Sequence, residues 1–145
     1  MGEKSFRVEF AGVGRPPRMF GPGEFPRPLS LREAETLRFM LSPSDPRLES
    51  LREQAEVAHV KGMCHCGCAT IDLAVDKERA RSASGLCFVV IETRTPQFDP
   101  DKGPFELILY LADGWLKELE VVYYANDPPP EFPSIDRFEP PRLLC

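Results

Sequence analysis

Histidine is scarce in this chain: only His59 and His65 are present. Few general bases are therefore available for acid–base catalysis. The sequence also lacks a Gly-rich phosphate loop, a nucleophile elbow and the helix motif of zinc proteases. Gly12-Val13-Gly14 lies in a Pro/Gly-rich stretch, without the strand–turn–helix context of a dinucleotide site. No apolar run is long enough to span a bilayer, and the charged N-terminus lacks the apolar centre of a signal peptide. A myristoylation motif needs Ser or Thr where Phe6 stands, and Cys145 in the last position leaves no prenylation motif. No internal repeat is present. These absences argue against an enzyme and against a membrane protein, and a cytoplasmic location is expected.

What is present suits one domain, taken as residues 1–145. The net charge is −5, unevenly spread. Residues 1–41 carry seven Lys/Arg and five Asp/Glu, whereas residues 82–145 carry five and eleven. An acidic C-terminal part argues against a nucleic-acid groove there. Such a surface is either simply solvated or attracts a basic protein partner.

Phe6, Val8 and Phe10 alternate with charged residues, as in a short strand. Residues 11–28 hold five prolines and four glycines and read as an irregular arm. Ser30-Leu31-Arg32-Glu33 is a capping box, followed by Leu31, Ala34, Leu37 and Leu41 at helical spacing. Asp45-Pro46 starts a second helix with Leu48, Leu51, Ala55 and Ala58 on one side. A helix pair is thus expected over residues 30–58 and a sheet over residues 59–124. Strands are expected at His59–Met63, Ile71–Val75, Cys87–Ile91, Phe105–Ala112 and Trp115–Tyr124, the last two joined by a primed turn at Asp113-Gly114. Cys87–Ile91 is apolar on both faces and reads as a central strand with Cys87 in the core. Residues 125–145 read as a Pro-rich tail held by Phe132, Ile135 and Phe138. Helices followed by strands give an α+β class: an antiparallel meander of four or five strands, with the helix pair packed on one face.

The densest chemistry lies in Cys64-His65-Cys66-Gly67-Cys68. On an extended strand the three cysteines would share a face at about 6.8 Å spacing, too far apart for one ion. Gly67 permits a reversal, and the apolar pattern shifts parity here, with cysteines at even positions and Ile71, Leu73 and Val75 at odd ones. A turn over residues 65–69 accounts for both. If it gathers three thiolates, zinc is the candidate ion, with His65 as fourth ligand and His59 or Cys87 as alternatives. The run matches neither paired Cys-x-x-Cys motifs nor one such pair with two histidines. A second reading is thiol redox chemistry through a Cys-x-Cys pair. A third is structural, with small residues filling a tight turn. The odd count of five cysteines does not suit a secreted disulfide framework.

Cys66-Gly67-Cys68-Ala69-Thr70, Asp113-Gly114-Trp115-Leu116 with Leu119-Glu120, and the Pro128–Pro133 tail resemble a group of small bacterial proteins of no established activity. Those share a CGC turn, a DG hairpin ending in a Leu-Glu strand and a Pro-rich finish. The likeness covers residues 30–135. It implies a bacterial cytoplasmic setting and the same order of elements, and it carries over no catalytic residues.

Glu118 and Glu120 share a strand face, and Tyr110, Trp115, Tyr123 and Tyr124 cluster on the final hairpin, where aromatics pack or anchor a partner. With no catalytic set, the leading expectation is a non-enzymatic protein-binding module, regulatory or immunity-like, acting through its acidic C-terminal surface. Metal binding by the cysteine cluster and thiol redox chemistry are the alternatives.

Overall fold

A computed structural model describes residues 25–96, 104–124 and 127–145. The strand expected at Phe6–Phe10 and most of the 11–28 arm lie outside these residues. The elements in chain order are β1 (Arg27–Pro28), α1 (Leu31–Met40), a 3₁₀ turn (Pro46–Leu48), α2 (Glu49–Ala55), β2 (Ala58–Met63), β3 (Ile71–Val75), β4 (Val89–Arg94), β5 (Phe105–Ala112), β6 (Trp115–Tyr123), a 3₁₀ turn (Ile135–Arg137) and β7 (Arg142–Leu143). Among the described residues no helix is long and apolar enough to cross a membrane.

The class is α+β with an antiparallel sheet. Among the described residues the sheet has seven strands, not four or five, in the order β1-β2-β3-β6-β5-β4-β7. It is not a meander. β6 returns to pair with β3, so the β5–β6 hairpin forms the centre and β4 lies beyond it. The two additional strands are two-residue edges, β1 and β7, both in Pro-rich sequence. Pro28 is tolerated there because an edge strand does not need every amide. Neither strand is long enough to show a period-2 pattern. The expected helix pair is two short helices of ten and seven residues, and β1 precedes them.

α1 begins where the capping box places it. Ser30 Oγ accepts from the Glu33 amide at 3.1 Å, and Glu33 Oε1 accepts from the Ser30 amide at 2.8 Å. Arg27 donates twice to the same carboxylate, each bond 2.8 Å, which ties β1 to the helix start. The buried side chains of α1 are Glu33, Thr36, Leu37 and Met40. Leu31 instead points to solvent.

The sheet's inner face is built from in-register rows. Met63, Ile71, Leu119, Leu109, Ile91 and Leu143 stand side by side across six strands. The four middle residues are fully buried, and they join Leu37, Met40, Leu48 and Leu51 of the helical layer in one core. The opposite face carries the row Gly62, Asp72, Glu118, Tyr110 and Val89. Among the described residues one face is therefore apolar and covered, and the other carries the acidic pair Asp72 and Glu118 and is open.

Gln54 of α2 is fully buried and fastens the β5–β6 turn. Its amide donates to Arg81 O at 2.7 Å and Gly114 O at 2.9 Å, and its oxygen accepts from the Leu116 amide at 2.9 Å. In the tail, Phe132 and Phe138 enter the core as expected.

Cys87 corrects the sequence reading. It lies before β4, is exposed, and is bonded to Cys145. β4 is not central either, since only the two-residue β7 lies outside it. One disulfide and three free cysteines account for the odd number.

Candidate metal centre

The cysteine run is the connection between β2 and β3. β2 carries a register shift between Val60 and Gly62, and the ladder then ends at Met63 opposite Ile71. The Cys64 amide donates to Thr70 O at 3.1 Å, which closes the loop at its base. Inside it the Gly67 amide donates to Cys64 O at 3.3 Å, and Gly67 takes a φ of +93°. A Cβ at Gly67 would meet only Pro128 Cγ, at 4.0 Å. The backbone conformation, not crowding, is what calls for glycine. The reversal expected from the parity shift is therefore present.

The reversal gathers the sulfurs. Sγ of Cys64, Cys66 and Cys68 all lie within 4.8 Å of one another. Three sulfurs each about 2.3 Å from one ion stand roughly 4 Å apart, so this spacing suits a shared ion. Cys64 and Cys66 are exposed, whereas Cys68 is buried against the sheet beside Ala69 and Thr70. Thr70 anchors this wall to β6: its Oγ1 accepts from the Val121 amide at 3.0 Å.

Hydrogen bonding makes the three sulfurs unequal. Cys66 Sγ is the common acceptor, taking a bond from the Cys64 thiol at 3.1 Å and one from the Cys68 amide at 3.4 Å. The Cys64 and Cys68 thiols, the Cys68 amide and the Tyr123 hydroxyl together lower the Cys66 pKa to about 6. Donation to Cys66 pushes Cys64 up to about 11. Tyr123 is raised because its proton is shared with the Cys66 sulfur. Cys66 is therefore the sulfur on which these donors converge, and its thiolate is the form they favour.

The expected fourth ligands are not in this group. His65 is in the same turn and exposed, but the sulfur cluster does not include it. His59 sits on β2, opposite Pro28 on one side and Ala74 on the other. Cys87 is committed to Cys145. The sequence reading did not single out Tyr123 for this site. Its position at the end of β6 says nothing of the β2–β3 turn until β6 is known to pair with β3. A cleft of about 330 Å³ is lined by residues of the helical layer such as Leu37, Leu41 and Ala55, not by the cysteine turn.

A second cluster lies on the open face. Asp72 of β3 stands directly opposite Glu118 of β6, and Glu118 opposite Tyr110 of β5. Tyr110 donates to Glu120 Oε1 at 2.6 Å. Burial, then the Glu120 and Asp72 carboxylates, hold Glu118 above the usual carboxylate range, with Lys117 opposing them.

Comparison of the chain with protein-family models, curated proteins and solved structures finds no match.

Proposed function

We propose that this protein binds a thiophilic metal ion through Cys64, Cys66 and Cys68. The observation that carries this reading is the convergence of three sulfurs within 4.8 Å in one five-residue turn. Soft thiolates favour ions such as Cu(I) and zinc over hard cations. Backbone bonds from the Cys64 and Gly67 amides close the turn that presents the three sulfurs. Elemental analysis of protein purified without added metal, under reducing conditions, tests it. About one soft ion per chain is expected in the wild type and none in Cys66→Ser. Absence of a stoichiometric ion from both, persisting after incubation with zinc and with Cu(I), would end the reading.

A second reading is favoured by the open sheet face. Asp72, Glu118 and Glu120 repel one another there, and a cationic partner relieves that repulsion. On this reading the protein docks a basic protein segment in a non-enzymatic, regulatory or immunity-like role. A fluorescent oligolysine peptide is the probe. Salt-sensitive binding that Glu118→Gln/Glu120→Gln weakens supports it, and binding indifferent to these changes removes it.

A further inference from the structure

The sulfur cluster has a fixed number of donors, and that number selects the ion. Among the described residues the cluster comprises Cys64, Cys66 and Cys68, with no His, Asp or Glu included. Structural zinc is almost always four-coordinate, and cubane or rhombic iron–sulfur clusters ordinarily take four cysteines. All three donors here come from one turn, so they approach an ion from one side. Cys68 and its buried neighbours Ala69 and Thr70 form the wall beneath. Cys64 and Cys66 form the exposed rim. Tyr123 supplies a hydroxyl to the Cys66 sulfur, and so orients that donor.

We infer that the site is built for thiophilic centres satisfied by three sulfurs, of which Cu(I) and trivalent arsenic are the two probes, rather than for zinc. This rests on the reading of the cluster as a metal site. Cu(I) is soft and accepts three thiolates without a fourth ligand. Trivalent arsenic makes three covalent bonds and keeps a lone pair, which faces solvent when three sulfurs hold the opposite side. Neither reaction changes an oxidation state. With arsenite, As(OH)₃ and three thiols give one As(S)₃ adduct and three waters. With Cu(I), the thiols that ionise release their protons to solvent.

The experiment uses the full chain carrying Cys87→Ser and Cys145→Ser, so that Cys64, Cys66 and Cys68 are its only thiols, reduced with a phosphine and handled without oxygen. Cu(I), arsenite and Zn(II) are added separately and the products read by native mass spectrometry and X-ray absorption. One Cu(I) or one arsenic per chain is expected, with three sulfur neighbours and no nitrogen or oxygen. The arsenic adduct should carry the mass of arsenic less three hydrogens. Cys66→Ser, at an exposed position, and Cys68→Ser should each weaken Cu(I) binding at least tenfold, while His65→Ala leaves it unchanged. An arsenic adduct on two sulfurs that retains a hydroxyl would overturn three-coordination. So would a tenfold loss of Cu(I) affinity in His65→Ala, or a four-ligand zinc site with no binding of the other two. Those results leave the metal reading standing, whereas failure of all three ions to bind removes both.

Discussion

Thr70 Oγ1 accepts the Val121 amide proton at 3.0 Å, and both residues are buried. This bond joins the end of the cysteine turn to β6 just beyond the last β3–β6 ladder pair. Thr70→Val keeps the shape and strands the Val121 amide. A buried donor left without its partner costs about 1–3 kcal/mol. Urea denaturation should show a lower midpoint with an unchanged slope. Cu(I) affinity should fall as well, because the wall that carries Cys68 is no longer held.

Cys66 should react before the other two thiols. The neighbouring Cys64 and Cys68 thiols, the Cys68 amide and the Tyr123 hydroxyl lower its pKa to about 6. Peptide mapping of iodoacetamide alkylation against pH should show Cys66 labelled with a midpoint near that value. Cys64, raised to about 11, should lag. Tyr123→Phe removes one donor and should move the Cys66 midpoint upward. A midpoint in the ordinary thiol range would contradict the hydrogen-bond pattern, and the redox alternative with it.

Glu118 gives a pH dependence of definite sign. Its folded pKa is raised by burial and by Glu120 and Asp72, so the protonated form suits the fold better than the ionised one. That contribution is fully present below the unfolded value of about 4.3 and is lost as pH rises through the folded one. At neutral pH the ionised group is a net cost. Glu118→Gln should therefore stabilise the protein at pH 7 by about 0.2–1 kcal/mol, the range for like charges facing each other across strands at a partly solvated site. Thermal melts at pH 7 and pH 3.5 check this, and the gain should vanish at the lower pH.

The β5–β6 turn leaves little room for substitution. Asp113 and Gly114 take φ values of 52° and 83°, and a Cβ on Gly114 would lie 2.2 Å from Ala83 O. Gly114→Ala should cost at least ~2 kcal/mol, of which the left-handed backbone supplies roughly 1–2. Gln54→Leu should be comparably severe, because three backbone groups lose a buried partner at once. Chemical denaturation of both variants provides the measure.

Local chemistry was legible in the sequence where a few adjacent residues decide the outcome. Ser30 and Glu33 announced the start of α1, Asp45-Pro46 the start of the second helix, which opens as the 3₁₀ turn Pro46–Leu48 and becomes α2 at Glu49, and Asp113-Gly114 the primed hairpin. The mismatch between the even cysteines and odd Ile71, Leu73 and Val75 announced the reversal at Gly67. Features that depend on distant partners were not legible. Pairing of β3 with β6 skips two strands, and nothing in Ile71 or Leu119 alone encodes it. β1 and β7 are too short to carry a period. Cys87 begins an apolar run and so reads as core. Its exposure and its bond to Cys145 follow from β7 returning to β4. The role of Tyr123 was hidden for the same reason.

Simultaneous protection of three thiols by one ion tests the central claim most directly. The chain carrying Cys87→Ser and Cys145→Ser, so that Cys64, Cys66 and Cys68 are its only thiols, is reduced, titrated with Cd(II) to one equivalent, alkylated, and mapped cysteine by cysteine. Cys64, Cys66 and Cys68 should lose reactivity together, in proportion to bound ion and with an endpoint of one per chain. Continued alkylation of any one of the three at that endpoint would contradict a shared site.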